Sequence, residues 1–174
     1  MKASSEAMRM SHERARDIPA PAAGAGFSLA LACDIRIASS SAFFAPANGR
    51  IGASPDGGMT YFLPRVVGPS KALELLLEDP NLKAEDALDL GLVSEVVGPD
   101  ELMEAARGKA EKLAKKAPHY VRMAKRLCGV SIENSINDHL QLERHGIADS
   151  MATEDLRKGV ETFFSGGTPE FHGR

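Results

Sequence analysis

The fold of this chain is decided by the stretch AAGAGFSLALACD, which spans residues 22–34. Gly24, Ala25 and Gly26 stand directly before an apolar run with no charge until its last residue, and this pattern predicts a tight turn that opens a buried helix over 26–33. Glycine lets a backbone approach a ligand closely, and the first N–H groups of a helix can point at negative charge, so the turn fits an anion or oxyanion site. The same glycines also fit close packing of the helix against a sheet. The stretch alone leaves both interpretations open.

Two nucleotide-binding motifs are excluded at this turn. A dinucleotide fingerprint needs a third glycine where Leu29 stands, and a phosphate loop needs Lys followed by Ser or Thr after its last glycine. The net charge of −3 argues against nucleic acid as a partner, because a polyanion requires a basic surface.

The composition predicts one domain, with or without an appendage, in the cytoplasm. The 174 residues are enough for a sizeable core. The longest apolar run, residues 27–33, is far shorter than the ~20 residues of a membrane span, so no membrane partner is expected, and the polar start does not resemble a secretory signal. Cys33 and Cys128 lie in apolar helical contexts without metal-ligand spacing, which predicts a buried, reduced pair suited to the cytosol.

Short extended segments flank the predicted helix. Residues 1–17 fit a short amphipathic helix, which the prolines that follow would end. Residues 35–38 alternate apolar and polar side chains like a half-buried strand, and residues 43–45 extend that strand or pair with it.

A loop rich in turn residues covers 46–58, between two apolar elements, which is a common location for functional residues. It holds Asp56, the only carboxylate between Asp34 and Glu74. Asp56 fits a working carboxylate, but it also fits an ordinary Asx turn or helix cap ahead of the glycine pair that follows it.

From Pro69 onward the pattern is helical. After a first helix, the predicted elements are helix 83–90, an extended segment at 92–97, and helices 99–116, 118–128, 131–149 and 153–164. The predicted buried face of helix 99–116 consists of Leu102, Ala105, Ala106, Ala110, Leu113 and Ala114. The tail 165–174 is expected to be flexible. We expect no metal site, because His145 is six residues from His139 and therefore off the face that His139 shares with Glu143.

Several motifs, in this order and spacing, resemble the crotonase superfamily, the enoyl-CoA hydratase/isomerase group. They are AAGAGFSLALACDIRIA (22–38), FAP (44–46), IGASPDGG (51–58), LPR (63–65), GLV (91–93) and the closing PEFHGR (169–174). The resemblance implies an α/β chain that carries the C-terminal portion of a crotonase-like ββα spiral fold. It further implies a partial core carrying the oxyanion-hole motif over 1–98 and a helical C-terminal trimerisation region over 99–174.

The resemblance also implies the chemistry at the glycine turn. In the family, two backbone N–H groups hold the thioester carbonyl of an acyl-CoA, and the reaction passes through an enolate-like oxyanion. Ala25 corresponds to one of these donors. The implied substrate-binding positions are Gly24, Gly26, Phe44, Pro55 and Gly57.

Side chains separate the chemistries within the family. Hydratases carry glutamates at the positions that are Ser28 and Asn48 here, so the resemblance argues against water addition. Asp56 corresponds to the working aspartate of phenylacetate-pathway enoyl-CoA isomerases and of 4-chlorobenzoyl-CoA dehalogenases. SPDGG followed by FLPR is more similar to the isomerases. A single shielded carboxylate can carry a proton from one carbon to another.

Two departures from the family pattern keep a second hypothesis open. The family's N-terminal half supplies most strands of the core, the other oxyanion N–H and much of the CoA adenine pocket, and this sequence lacks it. Residues 165–168 also replace basic residues that family members often carry near the CoA phosphates. The first hypothesis is an enoyl-CoA isomerase that acts on an acyl-CoA thioester as a homotrimer or dimer of trimers, with no cofactor beyond the CoA of its substrate. The second is a catalytically inert remnant that serves as an oligomerisation or interaction module.

Overall fold

A computed structural model describes residues 22–174, so the helix predicted over 1–17 lies outside the described residues. The resemblance implies a division at residue 98, and by compactness the described chain divides between Arg107 and Gly108.

The first unit combines short strands with helices. In chain order it contains β1 (Ala22–Ala23), α1 (Ala25–Leu31), β2 (Ile37–Ser39), β3 (Phe43–Ala45), a 3-10 turn (Gly49–Ile51), α2 (Met59–Val67), α3 (Pro69–Glu78), β4 (Leu82–Lys83), α4 (Ala84–Asp89), β5 (Glu95–Val97), a second 3-10 turn (Pro99–Glu101) and the start of α5 (Leu102–Ala114). The helix predicted over 26–33 is therefore confirmed as α1, with slightly different ends.

The strands of this unit form two small sheets. β1 pairs in parallel with β3, which pairs antiparallel with β4, while β2 pairs in parallel with β5. The prediction that β3 extends or pairs with β2 is wrong. Each of these strands instead finds its partner elsewhere in the chain, and such non-local pairing is not visible in local alternation.

One apolar core holds the first unit together. Phe27 and Leu31 of α1 pack with Phe44 of β3, and with Met59 and Leu63 of α2, all of them buried. The Phe27 and Phe44 rings lie 5.7 Å apart in a tilted arrangement. The apolar spacing of α1 therefore fixes the glycine turn at its start against this core.

Arg36 connects the end of α1 to the segment before β5. Its guanidinium donates to the carbonyls of Cys33 and Leu92, and Ser94 donates its N–H and hydroxyl to the Arg36 carbonyl at 2.8 and 2.9 Å. Burial lowers the pKa of Arg36 from its ordinary value, opposed by Cys33 and Asp34.

The second unit is helical. It contains the rest of α5, then α6 (Pro118–Val130), α7 (Ile136–Met151) and α8 (Glu154–Ser165). α7 begins five residues later than predicted from Ser131, because Ser135 caps it by accepting the Asp138 N–H at 3.2 Å. The cap predicted at Thr153 is confirmed, since its hydroxyl accepts the Leu156 N–H at 3.1 Å.

Three expectations of burial and order need correction. The predicted face of α5 is not fully buried in the single chain. Both cysteines are free thiols, but Cys33 is partly exposed and Cys128 exposed, so they are not a buried pair. The tail predicted to be flexible is tied to α8, because Asp155 accepts the N–H groups of His172 and Gly173, each at 2.8 Å.

Between Ala22 and Arg174, no helix is long and apolar enough to cross a membrane.

Candidate active site

The glycine turn before α1 has a conformation that requires glycine. Gly24 has φ 51° and ψ −121°, the values of the first central residue of a type II′ turn. Its N–H donates to the Ala45 carbonyl at 3.0 Å, which fixes the turn to β3. Ala25 is the first residue of α1, so its N–H has no acceptor one turn earlier within the helix.

The outer side of this turn is open. Ala25 and Gly26 are exposed, and a Cβ added at Gly26 would meet no atom of the described residues within 4 Å. Close packing therefore does not explain Gly26 within the described part of the chain. This openness favours the interpretation in which a ligand atom approaches the start of α1.

Ser28 links the turn to the loop that carries Asp56. Its side chain is buried, and its hydroxyl lies 3.2 Å from the Gly24 carbonyl and 3.0 Å from the Asp56 carbonyl, both of which can accept its proton. The positions predicted from separate motifs are thus brought together in one place.

Gly57 packs directly against Ser28. A Cβ on Gly57 would lie 2.9 Å from the Ser28 Cβ, and the φ of Gly57 is +61°. The space beside Ser28 is therefore filled by loop backbone, and a side chain longer than serine would displace the loop.

The Asp56 carboxylate makes no hydrogen bond or ion pair within residues 22–174. Its carbonyl accepts from Ser28 and from the Met59 N–H at 3.1 Å, but its side chain is exposed and closes no Asx turn. Gly58 precedes α2 without a side-chain cap. Neither ordinary structural role considered for this side chain is present, so the carboxylate is available to a ligand.

Asn48 lies on the other side of the turn. Its Nδ2 donates to the Ser54 carbonyl at 3.1 Å, while its Oδ1 is buried without a hydrogen-bond partner among the described residues. A Cβ on Gly24 would lie 3.8 Å from this Oδ1. Asn48 therefore braces the loop and faces the turn.

Two of the remaining predicted positions differ in exposure. Pro55 is half-buried beside Asp56, where it can contact a ligand. Phe44 is buried in the core against Phe27, so its side chain supports the turn from beneath and does not line an open surface.

Sequence reasoning missed two residues that hold the same loop. Arg50 and Asp79 form an ion pair, with 3.4 Å between Nε and Oδ1, and Asp79 Oδ1 also accepts the Ala47 N–H at 2.7 Å. The only local signal was a helix followed by Asp-Pro-Asn, which is typical of a turn.

The histidines considered for a metal do not assemble a ligand set. His139 Nε2 lies 3.7 Å from Glu143 Oε1, a contact between neighbouring turns of α7. Across residues 22–174 there is no group of three His, Cys, Asp or Glu side chains that could hold a metal ion.

Comparisons with known proteins agree with this architecture. The family model described as enoyl-CoA hydratase/isomerase matches residues 18–174. A probable mitochondrial enoyl-CoA hydratase from Dictyostelium discoideum is 37% identical over 88% of this chain and 55% of its own length. A 1,2-epoxyphenylacetyl-CoA isomerase from Escherichia coli (strain K12) is 36% identical over 88% of this chain and 58% of its own length.

Solved structures with the same fold carry related names. An enoyl-CoA hydratase subunit I from Geobacillus kaustophilus HTA426 superposes with a TM-score of 0.86 and 34% identity, over 90% of this chain and 61% of that chain. The fold is thus an α/β crotonase fold. The chain belongs to the enoyl-CoA hydratase/isomerase family of the crotonase superfamily, and it spans little more than half the length of the curated relatives named above.

Proposed function

We propose that the chain is an enoyl-CoA isomerase in which Ala25 stabilises an oxyanion and Asp56 carries a proton. The observation that supports this most strongly is the Ser28 hydroxyl, which contacts both the Gly24 carbonyl and the Asp56 carbonyl. This hydroxyl links the exposed start of α1 to the loop of Asp56, whose carboxylate makes no hydrogen bond or ion pair within residues 22–174. Proton abstraction next to a thioester carbonyl requires an oxyanion donor and a base, and Ala25 and Asp56 lie on the two segments that Ser28 links.

The reaction needs no redox partner. Asp56 removes a proton from C2 of a 3-enoyl thioester, and the electron pair moves onto the thioester oxygen to form a dienolate. The Ala25 N–H donates to this oxygen. The Asp56 carboxyl then returns the proton to C4, the oxyanion collapses, and the double bond lies between C2 and C3. A bound acyl chain would cover the exposed carboxylate and keep its proton from exchanging with water.

The side chains around the turn support isomerisation more than hydration. Ser28 and Asn48 occupy the positions where the family's hydratases carry glutamates, and both side chains are engaged in holding the loop. Several of the similar relatives are named hydratases, and the relative from Escherichia coli is named an isomerase. The proposal therefore depends on residues 28, 48 and 56 and not on the names of relatives.

The proposed substrate is an acyl-CoA thioester, with no cofactor beyond its CoA. The proposed assembly is a homotrimer or dimer of trimers formed through the helices of the second unit. Two accessible free thiols fit a reducing compartment, so we assign the protein to the cytoplasm.

Asp56→Asn tests the catalytic role. We expect the rate of double-bond migration in a purified 3-enoyl-CoA to fall by about 10²–10⁴, the usual contribution of a general acid–base group, with the fold unchanged. Glu85→Gln, which removes an exposed carboxylate on α4, is the matched control and should keep the wild-type rate. Equal rates for Asp56→Asn and wild type would exclude Asp56 as the proton carrier.

The second candidate is an inert oligomerisation module, and one observation favours it. Four apolar side chains on one face of α7 are 51–72% exposed, namely Ile136, Leu140, Ile147 and Met151. Such a face fits assembly whether or not the site works. Tight binding of an acyl-CoA to the chain, measured calorimetrically, would count against this candidate.

A further inference from the structure

Two strained residues of the first unit are hydrogen-bonded to each other. Within residues 22–174, Ala47 at φ 64° and Asp79 at φ 49° are the non-glycine residues with positive φ, and the Ala47 N–H donates to Asp79 Oδ1 at 2.7 Å. Residues other than glycine rarely adopt this conformation, and it persists only where surrounding contacts impose it. Strain of this kind is often found next to functional sites.

The Asp79 carboxylate is the centre of these contacts. Its side chain is only 10% exposed, and Arg50 Nε lies 3.4 Å from Oδ1. Arg50 Nη2 also donates to the Asp79 carbonyl and to Asn81 Oδ1, each at 2.8 Å. We call Ala47, Arg50 and Asp79 the loop clamp, because together they tie the start of loop 46–58 to the end of α3.

The second oxygen of the Asp79 carboxylate also faces the loop. Asp79 Oδ2 is buried and has no hydrogen-bond partner among the described residues. A Cβ on Gly49 would lie 3.2 Å from Oδ2, so the carboxylate also restricts the loop sterically.

The hydrogen bonds of Asn48 connect the loop clamp to the segment that carries Asp56. Asn48 lies between Ala47 and Arg50, its carbonyl accepts the Ala53 N–H at 3.0 Å, and its side chain donates to the Ser54 carbonyl at 3.1 Å. Ser54 is two residues before Asp56, whose own carbonyl is held by Ser28. The loop that carries the carboxylate is thus fixed by Ser28 on one side and by the clamp on the other.

We propose that Asp79, which does not itself reach the turn, is a positioning residue that holds Asp56 in register with the oxyanion donor through the loop clamp; this rests on the proposed isomerase function. A displacement of about 1 Å at a reacting group can cost about 10²-fold in rate. We therefore expect loss of the clamp to slow the chemical step more than it weakens substrate binding.

Asp79→Gly is the informative variant. Glycine adopts positive φ without strain, so the end of α3 keeps its path while the carboxylate is lost. We expect kcat to fall by about 10–100-fold with KM changed less than threefold, and the pH dependence of kcat to keep its wild-type form because Asp79 carries no proton in the reaction. Amide hydrogen exchange of residues 47–57, followed by mass spectrometry on the full chain, should become faster.

Two further variants complete the test. Asp79→Asn keeps an acceptor for the Ala47 N–H and tolerates positive φ, so it should recover part of the loop protection and part of kcat. Glu78→Gln changes the neighbouring exposed carboxylate and should match wild type in both measurements.

The outcomes separate the two proposals. Wild-type exchange in loop 47–57 of Asp79→Gly would overturn the clamp, and faster exchange with an unchanged kcat would overturn the positioning role. A wild-type chain without isomerase activity would instead overturn the proposed function, and the positioning role with it. The exchange data would still decide whether the clamp fixes the loop.

Discussion

At the scale of single residues, the site depends on how closely Ser28 and Gly57 approach each other. Ser28 is buried and joins two carbonyls, one from the glycine turn and one from the Asp56 loop. Gly57 leaves no room for a Cβ beside it. A small residue at each position allows the loop to meet the turn.

Gly57→Ala and Gly52→Ala form a matched pair that isolates this contact. Both glycines have positive φ, at +61° and +69°, so alanine should cost about 1–2 kcal/mol of conformational strain at either position. Only Gly57 faces Ser28, since a Cβ at Gly52 meets no described atom within 4 Å. We expect Gly57→Ala to lose a further ~1–3 kcal/mol in urea unfolding, and most isomerase activity as well. Equal unfolding free energies for the two variants would contradict the packing described here.

The glycine turn was predictable at this scale, whereas the loop clamp was not. Three small residues before an apolar helix indicate a turn from local sequence, and Gly24 has the positive φ that such a turn uses. Asp79 accepts the Ala47 N–H across 32 positions of sequence, a contact that no local pattern indicates. The sequence also could not show that the Asp56 carboxylate makes no hydrogen bond within residues 22–174, because that depends on which side chains surround it in the fold.

At the scale of elements, the C-terminal tail is hydrogen-bonded to the first turn of α8. Asp155 is buried and accepts the His172 and Gly173 N–H groups, while its own N–H donates to the Arg174 carbonyl at 3.1 Å. The N–H of His172, followed by that of Gly173, lowers the pKa of Asp155 from its ordinary value, against the opposing effect of burial. The sequence pattern missed this because backbone donors carry no residue signature.

Asp155 makes the docking of the tail dependent on pH. A carboxylate whose pKa is lowered in the folded chain stabilises it fully above the ordinary aspartate pKa, and this contribution is lost as the pH falls through the lowered value. The tail should therefore stay docked at neutral and mildly acidic pH. Asp155→Asn should loosen the tail at every pH, because the amide offers one acceptor oxygen in place of two and its nitrogen cannot accept a backbone N–H.

Amide exchange at Gly173, measured by NMR against pH, tests this prediction. Glu154→Gln is the control, since it breaks only the exposed ion pair with Arg174 at 3.4 Å and should leave Gly173 protected. Rapid exchange at Gly173 in the wild-type chain at neutral pH would show that the tail is not held by Asp155.

At the scale of the whole molecule, the exposed apolar face of α7 predicts assembly. Ile136, Leu140, Ile147 and Met151 lie on one face of the helix, each more than half exposed. Periodicity alone predicted the helices of the second unit well. It could not predict that their apolar faces stay partly uncovered in a single chain, since that depends on surfaces outside each helix.

Light scattering of the purified chain tests the assembly. We expect a mass of three times the 18.5 kDa of one chain, or twice that mass for a dimer of trimers. Leu140→Glu should reduce the mass toward one chain, because it places a charge in the apolar face. His145→Glu, on the opposite face of α7, is the control and should not change it. A wild-type monomer at micromolar concentration would contradict the prediction.

The proposed isomerase moves a double bond and does not add water. The most direct measurement incubates the purified protein separately with a 3-enoyl-CoA and a 2-enoyl-CoA, and follows absorbance of the conjugated thioester together with product mass. We predict that the 3-enoyl-CoA becomes conjugated without a change of mass, that Asp56→Asn slows this change by about 10²–10⁴, and that the 2-enoyl-CoA gains no water. Addition of water to the 2-enoyl-CoA, or conjugation by Asp56→Asn at the wild-type rate, would contradict the proposed function.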